Sequence, residues 1–179
     1  MGLRREHRAF QQGDLDCLCG AYSIVNAMTY LFDGRIKRKP LLRTLLTQFA
    51  KQWPLDEWLT QGIDEIRMAH IIETVLMTGY YRKSFPVTVT QPFNKRRIKT
   101  TRVVQEMQAF LGDNKDISRV ILFSNQYHWS VIKSMDEHFM YYLDSSGVHR
   151  AKIDAYALYP NENRYQFYRD ALYFIERNF

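Results

Sequence analysis

The sequence predicts an α+β fold, helical in its first half and built on an antiparallel sheet in its second. Three observations carry this expectation. Between residues 19 and 78 the apolar residues recur at helical spacing in three long stretches. Beyond residue 85 they fall instead into short runs rich in β-branched and aromatic residues: FPVTVTQPF, SRVILFS, YHWSVIK, HFMYYLD and ALYFIER. Helices and strands are segregated rather than alternating, which is the mark of α+β rather than of parallel βαβ units. A chain of 179 residues without a repeat, a low-complexity tract or a Pro/Gly/Ser-rich linker suits one domain over 1–179.

Residues 1–16 read as irregular and polar, with Gly13 and Asp14 as turn formers. The segment CGAYSIVNAMTYLF, residues 19–32, predicts a helix that is apolar nearly all round and therefore buried. Asp16 stands where a cap is wanted, and Asp33-Gly34 supplies the stop. Pro40 opens a second helix, with Leu41, Leu42, Leu45, Leu46 and Phe49 on one face. A short turn of helix is expected over 53–60, a longer helix over 63–78 closed by Gly79, and another over 101–111 closed by Gly112. Pro86 and Pro92 confine the strand between them to a sheet edge. The run AKIDAYAL is ambiguous, and ALYFIER reads as the last strand.

No apolar run approaches the roughly 18 residues of a membrane helix. The charged start MGLRREHRAFQQGDLD is unlike a secretory signal, and Glu6 stands where a myristoylation signal wants Ser or Thr. Two cysteines, Cys17 and Cys19, are separated by one residue, near the far limit of disulfide reach. No histidine lies near them at zinc-ligand spacing, so no metal is expected, and free thiols suit a reducing, cytoplasmic location.

The net charge is +6, and much of the basic charge is clustered: Arg4, Arg5 and Arg8; Arg35, Lys37, Arg38 and Lys39; Lys95, Arg96, Arg97, Lys99 and Arg102. Such clusters attract nucleic acid or acidic surfaces, or simply solvate loops. No RNP, zinc-finger or recognition-helix pattern accompanies them, so solvated charge is the expected role and nucleic acid the alternative.

The chemistry gathers at three places. Cys19 begins the buried helix, where partial positive charge and free N–H groups favour a thiolate and can hold an oxyanion. Gly20 and Ala21 follow it and leave room for a substrate carbonyl. His128 lies in YHWSVIK and Asp144 ends HFMYYLD. If the turn between these strands has odd length and is centred on Asp136, His128 stands directly opposite Asp144. Their Cβ atoms are then about 4.5–5.5 Å apart on one face, with Trp129, Val131, Phe139, Tyr141 and Leu143 on the other. A two-residue turn would put Asp144 on the wrong face. Among other groups, His70 reads as a core or boundary residue, His7 as part of a charged tail, and His138 and His149 as flanking exposed turns. Trp129 is expected to wall the site or fill the core, and nothing in the sequence draws Asn125 or Gln126 to it.

Taken together, QQGDLDCLCGAYSIVNAM, the His-Trp strand and the Asp at the end of the next strand resemble the papain-like cysteine peptidases, most of all their bacterial C39-like branch. The resemblance covers residues 11–30 and 118–147. It implies a papain-like fold with the nucleophile at a helix start in the helical half, and His and Asp on the C-terminal sheet. It also implies the order Gln, Cys, His, Asp, met here by Gln12, Cys19, His128 and Asp144. The family's oxyanion Gln stands about six places before the Cys; Gly13 has that place here, with Gln12 one further back. Gln11 stands six before Cys17, which gives Cys17 its own case as nucleophile, but Cys19 is preferred because Gly-Ala and the buried helix follow it directly. The implied reaction is hydrolysis of a peptide or isopeptide bond through a thioester, needing no cofactor. An acyltransferase or deamidase with the same residues, and a binding module of this fold without catalysis, are the alternatives.

Overall fold

The computed structural model describes residues 9–13, 16–113 and 115–179. Arg4, Arg5, His7, Arg8 and Asp14 lie outside them. Six α-helices occur among the described residues: α1 (Cys19–Leu31), α2 (Arg38–Ala50), α3 (Leu55–Gln61), α4 (Glu65–Ile71), α5 (Gly79–Ser84) and α6 (Thr100–Leu111). Helices therefore fill the first half, and an antiparallel sheet forms from the second. Its strands are β1 (Val87–Thr90), β2 (Arg119–Ser124), β3 (Trp129–Met135), β4 (Phe139–Tyr142), β5 (Arg150–Lys152) and β8 (Leu172–Arg177). Two further strands, β6 (Tyr156–Ala157) and β7 (Tyr165–Gln166), pair parallel in a separate ribbon. In the large sheet the order is β1-β8-β2-β3-β4-β5, so the last strand lies inside it and the proline-flanked β1 at its edge.

The sheet is covered on both faces. Val120, Leu122, Val131, Tyr173 and Ile175 point into a core shared with the N-terminal helices. Their neighbours Ile121, Phe123, Ile132, Leu172 and Phe174 point into a second core closed by Val103, Met107 and Leu111 of α6 and by Tyr156, Leu158 and Phe167. This explains why residues 120–123 of β2 and 172–175 of β8 read as continuous apolar runs: both of their faces are buried.

Several boundaries differ from expectation. The helix foreseen over 63–78 begins at Glu65, because Asp64 caps it by accepting the Arg67 N–H at 2.8 Å. It widens into a π-helical turn at Ile72–Leu76, and the chain re-enters helix as α5 where a stop was expected. Asp16 does not cap α1 directly. Leu18 holds the cap position, and the Asp16 carboxylate accepts the Leu18 N–H (3.1 Å) and the Gly13 N–H (3.0 Å).

The β3–β4 connection departs from expectation twice, and the two departures cancel. The turn is not of odd length: Asp136 faces Phe139, with the Asp136 N–H on the Phe139 carbonyl at 3.0 Å, leaving only Glu137 and His138 between them. Alone, such a turn puts Asp144 on the face away from His128. But the register shifts between Ile132 and Ser134, so that Met135 faces Met140, Ser134 faces Tyr141 and Ile132 faces Tyr142. The extra residue, Lys133, is a β-bulge. Beyond it the Leu143 N–H donates to the Val131 carbonyl (2.8 Å), which brings Ser130, not His128, opposite Asp144. His128 then sits diagonally, two residues along. The apolar face also changes at the bulge: Trp129, Val131 and Leu143 are buried as expected, but on the rest of β4 the buried residues are Met140 and Tyr142, with Phe139 and Tyr141 half-buried.

Helix α1 is wedged through Gly20 against Ile63 and α4. A Cβ there would stand 2.7 Å from Ile63 Cγ2 and 2.8 Å from Met68 Cε. The small residues after Cys19 are therefore needed for packing, with Ala21 fully buried. Gly20→Val is expected to lower unfolding free energy by about 1–3 kcal/mol through overpacking, read as a fall in urea midpoint at unchanged slope.

Candidate active site

Cys19 is the first residue of α1, 9% exposed, at the wall of a cleft of about 330 Å³. The same cleft is lined by His128, Trp129, Gln12 and Cys17, so the predicted site residues other than Asp144 share one depression. Asp144 lies behind His128, 3% exposed.

Each side chain is placed by its neighbours. The His128 N–H and the Tyr127 N–H both donate to Asn125 Oδ1, at 2.9 and 2.8 Å. The Asn125 N–H returns to the His128 carbonyl at 3.1 Å. This Asx turn fixes the backbone from which the imidazole projects. His128 Nε2 meets Asp144 Oδ1 at 2.6 Å, which leaves Nδ1 as the ring nitrogen free for the Cys19 thiol. Asp144 is held in turn by Ser130 Oγ at 2.9 Å, by the Ser146 N–H at 3.2 Å and by the Ser146 hydroxyl. Trp129 closes the wall behind them, 4% exposed, its indole N–H on the Ile63 carbonyl at 2.7 Å.

Gln12 reaches the site by a different route. Its backbone N–H donates to the Ser145 carbonyl (3.2 Å), its Oε1 accepts from Ser145 Oγ (3.1 Å) and its Nε2 donates to the Asp16 carbonyl (3.2 Å). One amide hydrogen is thereby committed and a second remains available to the cleft. The Gln11 side-chain amide lies instead against Gly147. Cys17 borders the cleft, but its thiol donates to the Thr60 carbonyl at 3.3 Å. Among the described residues the Cys19 N–H meets no acceptor, as expected of a first-turn amide.

The charge states follow from these contacts. Burial by itself disfavours the imidazolium of His128. The hydrogen bond it donates to Asp144, and after it the Cys19 side chain, outweigh that and raise its pKa to about 9. Burial disfavours the Asp144 carboxylate, yet the hydrogen bonds of His128 and Ser146 hold its pKa below the ordinary value. The pair is an imidazolium–carboxylate contact through neutral pH.

The two basic clusters among the described residues, at 35–39 and 95–102, do not line the cleft. Among the described residues no lysine or arginine lines the cleft, whereas Asp16, Asp64 and Glu65 do. Arg38 stacks on Phe10 at 3.8 Å, and Arg96 and Arg102 share Glu106. His70 packs edge-on against Trp53, away from the site. Asn125 and Gln126 both border the cleft, although nothing in the sequence drew them there. Among the described residues, no group of three or more His, Cys, Asp or Glu is placed to hold a metal ion, and no helix is long and apolar enough to cross a membrane. The sequence matches no protein-family model and no curated protein.

The linked charges make stability depend on pH. Because His128 is raised in the folded state, its contribution is fully present below about pH 6.5 and is lost as pH rises towards about 9. Asp144 is lowered, so its contribution is present above its ordinary value of 3.8 and is lost on acidification below it. Urea midpoints measured from pH 6 to 10 should fall across that window in the wild type and flatten in His128→Ala. In Asp144→Asn the His128 ring, followed by NMR, should titrate well below pH 9.

Proposed function

We propose that this protein is a papain-like cysteine hydrolase that cleaves a peptide or isopeptide bond, with Cys19 as nucleophile and His128 as its acid–base partner. One observation carries the reading: a cleft-lining imidazole, gripped at Nε2 by a buried carboxylate, shares its cleft with a thiol at a helix N-terminus that raises its pKa. A purely structural histidine needs the carboxylate but not the thiol.

In this reading the Cys19 sulfur, its proton held on His128, attacks the substrate carbonyl. A C–S bond forms, and the carbonyl oxygen takes the negative charge. The Cys19 N–H and the free amide hydrogen of Gln12 face that oxyanion. The His128 proton passes to the leaving nitrogen, the C–N bond breaks and a thioester remains. A water then attacks the thioester and yields its proton to His128. The C–S bond breaks, releasing the acid and returning the thiolate beside the imidazolium. Asp144 fixes the ring tautomer and keeps Nδ1 towards the sulfur. Ser130, Ser146 and Asn125 act as positioning residues.

Alkylation with iodoacetamide, read by peptide mass at Cys17 and Cys19 separately, tests this. At pH 6 Cys19 should react about tenfold or more faster than free cysteine, and His128→Ala should remove the advantage. Fast reaction at Cys17 instead, or no His128 dependence at Cys19, overturns the assignment.

A further inference from the structure

The cleft continues beyond the thiol. A second depression, also about 330 Å³, shares Glu65 and Tyr168 with it and runs on past Tyr159 and Asp170. Its walls have an unusual character for a chain of net charge +6. Among the described residues the cleft proper is lined by three carboxylates and no cation. The one cation on the second depression among the described residues, Arg169, is engaged by the Arg96 carbonyl at 2.6 Å and by Asp170 at 3.8 Å.

The carboxylates are not equivalent. Asp16 accepts the Gly13 and Leu18 N–H groups, Asp64 caps α4, and Asp170 accepts the Lys95 N–H at 2.9 Å. Glu65 stands at the junction of the two depressions, is exposed, and among the described residues its carboxylate meets neither cation nor donor. Beside it are the rings of Tyr168 and Tyr159, 40% and 58% exposed. An unpaired carboxylate next to aromatic faces suits a long cationic side chain. The head meets the carboxylate, the methylene stem lies along the ring and the ring face adds cation–π attraction. An acidic side chain meets Glu65 as a like charge.

We propose that Glu65 and Tyr168 form a subsite for a lysine or arginine side chain of the peptide substrate, within a few residues of the bond that Cys19 attacks. The assignment rests on the cysteine-hydrolase reading above and names its substrate class: a basic polypeptide segment. The long-range field of the basic chain does not draw such a ligand in, so the preference is local to the groove.

The test uses tripeptidyl chloromethyl ketones of alanine carrying either one arginine or one glutamate, placed in turn at each of the three positions. The rate of Cys19 labelling is followed by peptide mass. At one position or more, the arginine probe should label about fivefold faster than its glutamate twin, the size expected of a solvent-accessible ion pair. That ratio should approach one in Glu65→Gln, invert in Glu65→Lys, and shrink in Tyr168→Ala. A wild-type ratio of one or less at every position overturns the subsite, as does a ratio that Glu65→Gln leaves unchanged, even where iodoacetamide shows an activated thiol. If iodoacetamide labels wild-type Cys19 no faster than free cysteine, the thiol chemistry and the subsite fall together.

Discussion

A carboxylate withdrawn from water has to be answered on every side, and Asp144 sets that demand here. At 3% exposure it loses most of its hydration, a loss that unpaired would be prohibitive. It is met by His128, by Ser130 and by both the backbone and the hydroxyl of Ser146. These donors come from β3, from the segment just before it and from the turn beyond β4. The next residue, Ser145, holds Gln12 by backbone and side chain together. One buried charge thus draws the imidazole, the strand ends and the N-terminal segment into a single network, in which each hydrogen bond is strengthened by the low local dielectric.

Helix α1 supplies the other half of the arrangement through a polar stripe on a buried surface. Gly20, Ser23 and Asn26 recur every three residues, so they share a face. Gly20 admits Ile63 and Met68, Ser23 Oγ donates to the Trp129 carbonyl at 3.0 Å, and Asn26 grips Phe10 by both backbone groups at 2.8 and 3.3 Å. The stripe therefore ties the helix that presents Cys19 to the strand next to His128 and to the segment that carries Gln12. A helix apolar all round would bury equally well but would leave its rotation about its own axis less defined, and with it the direction of the thiol.

Much of the layout was legible in residue patterns. Helical spacing located α1, α2, α3 and α6, and apolar runs located β2, β3, β4 and β8, because burial of one or both faces is written in side-chain chemistry. The juxtaposition of His128 with Asp144 was also legible, but for a reason only half right. The parity of the hairpin was inferred from an odd turn, whereas the chain combines an even turn with the Lys133 bulge. A bulge is a property of backbone pairing; no side chain announces it. The π-helical turn at Ile72–Leu76 is illegible for the same reason. The second core was missed although its signal was present: strands as continuously apolar as β2 and β8 need cover on both faces, and α6 provides it. In the site, the roles of Asn125 and Ser130 were missed: an Asx turn and a carboxylate contact both depend on backbone geometry, and the bulge sets the second. Glu65 and Tyr168 were not readable, because they come together only through the tertiary fold.

That tertiary origin explains why composition misleads about the charge a ligand meets. Among the described residues no lysine or arginine of this +6 chain lines the cleft; Arg38 stacks on Phe10, and Arg96 and Arg102 converge on Glu106. The α3–α4 loop brings Asp64 and Glu65 to the mouth of the cleft, and the N-terminal segment brings Asp16. Charges more than about 10 Å apart are largely screened at physiological salt, so a substrate already seated responds to the near carboxylates rather than to the distant cations. The two charge distributions can therefore act separately, the far one on encounter and the near one on selection. A basic protein can on this account hold an acidic groove without contradiction.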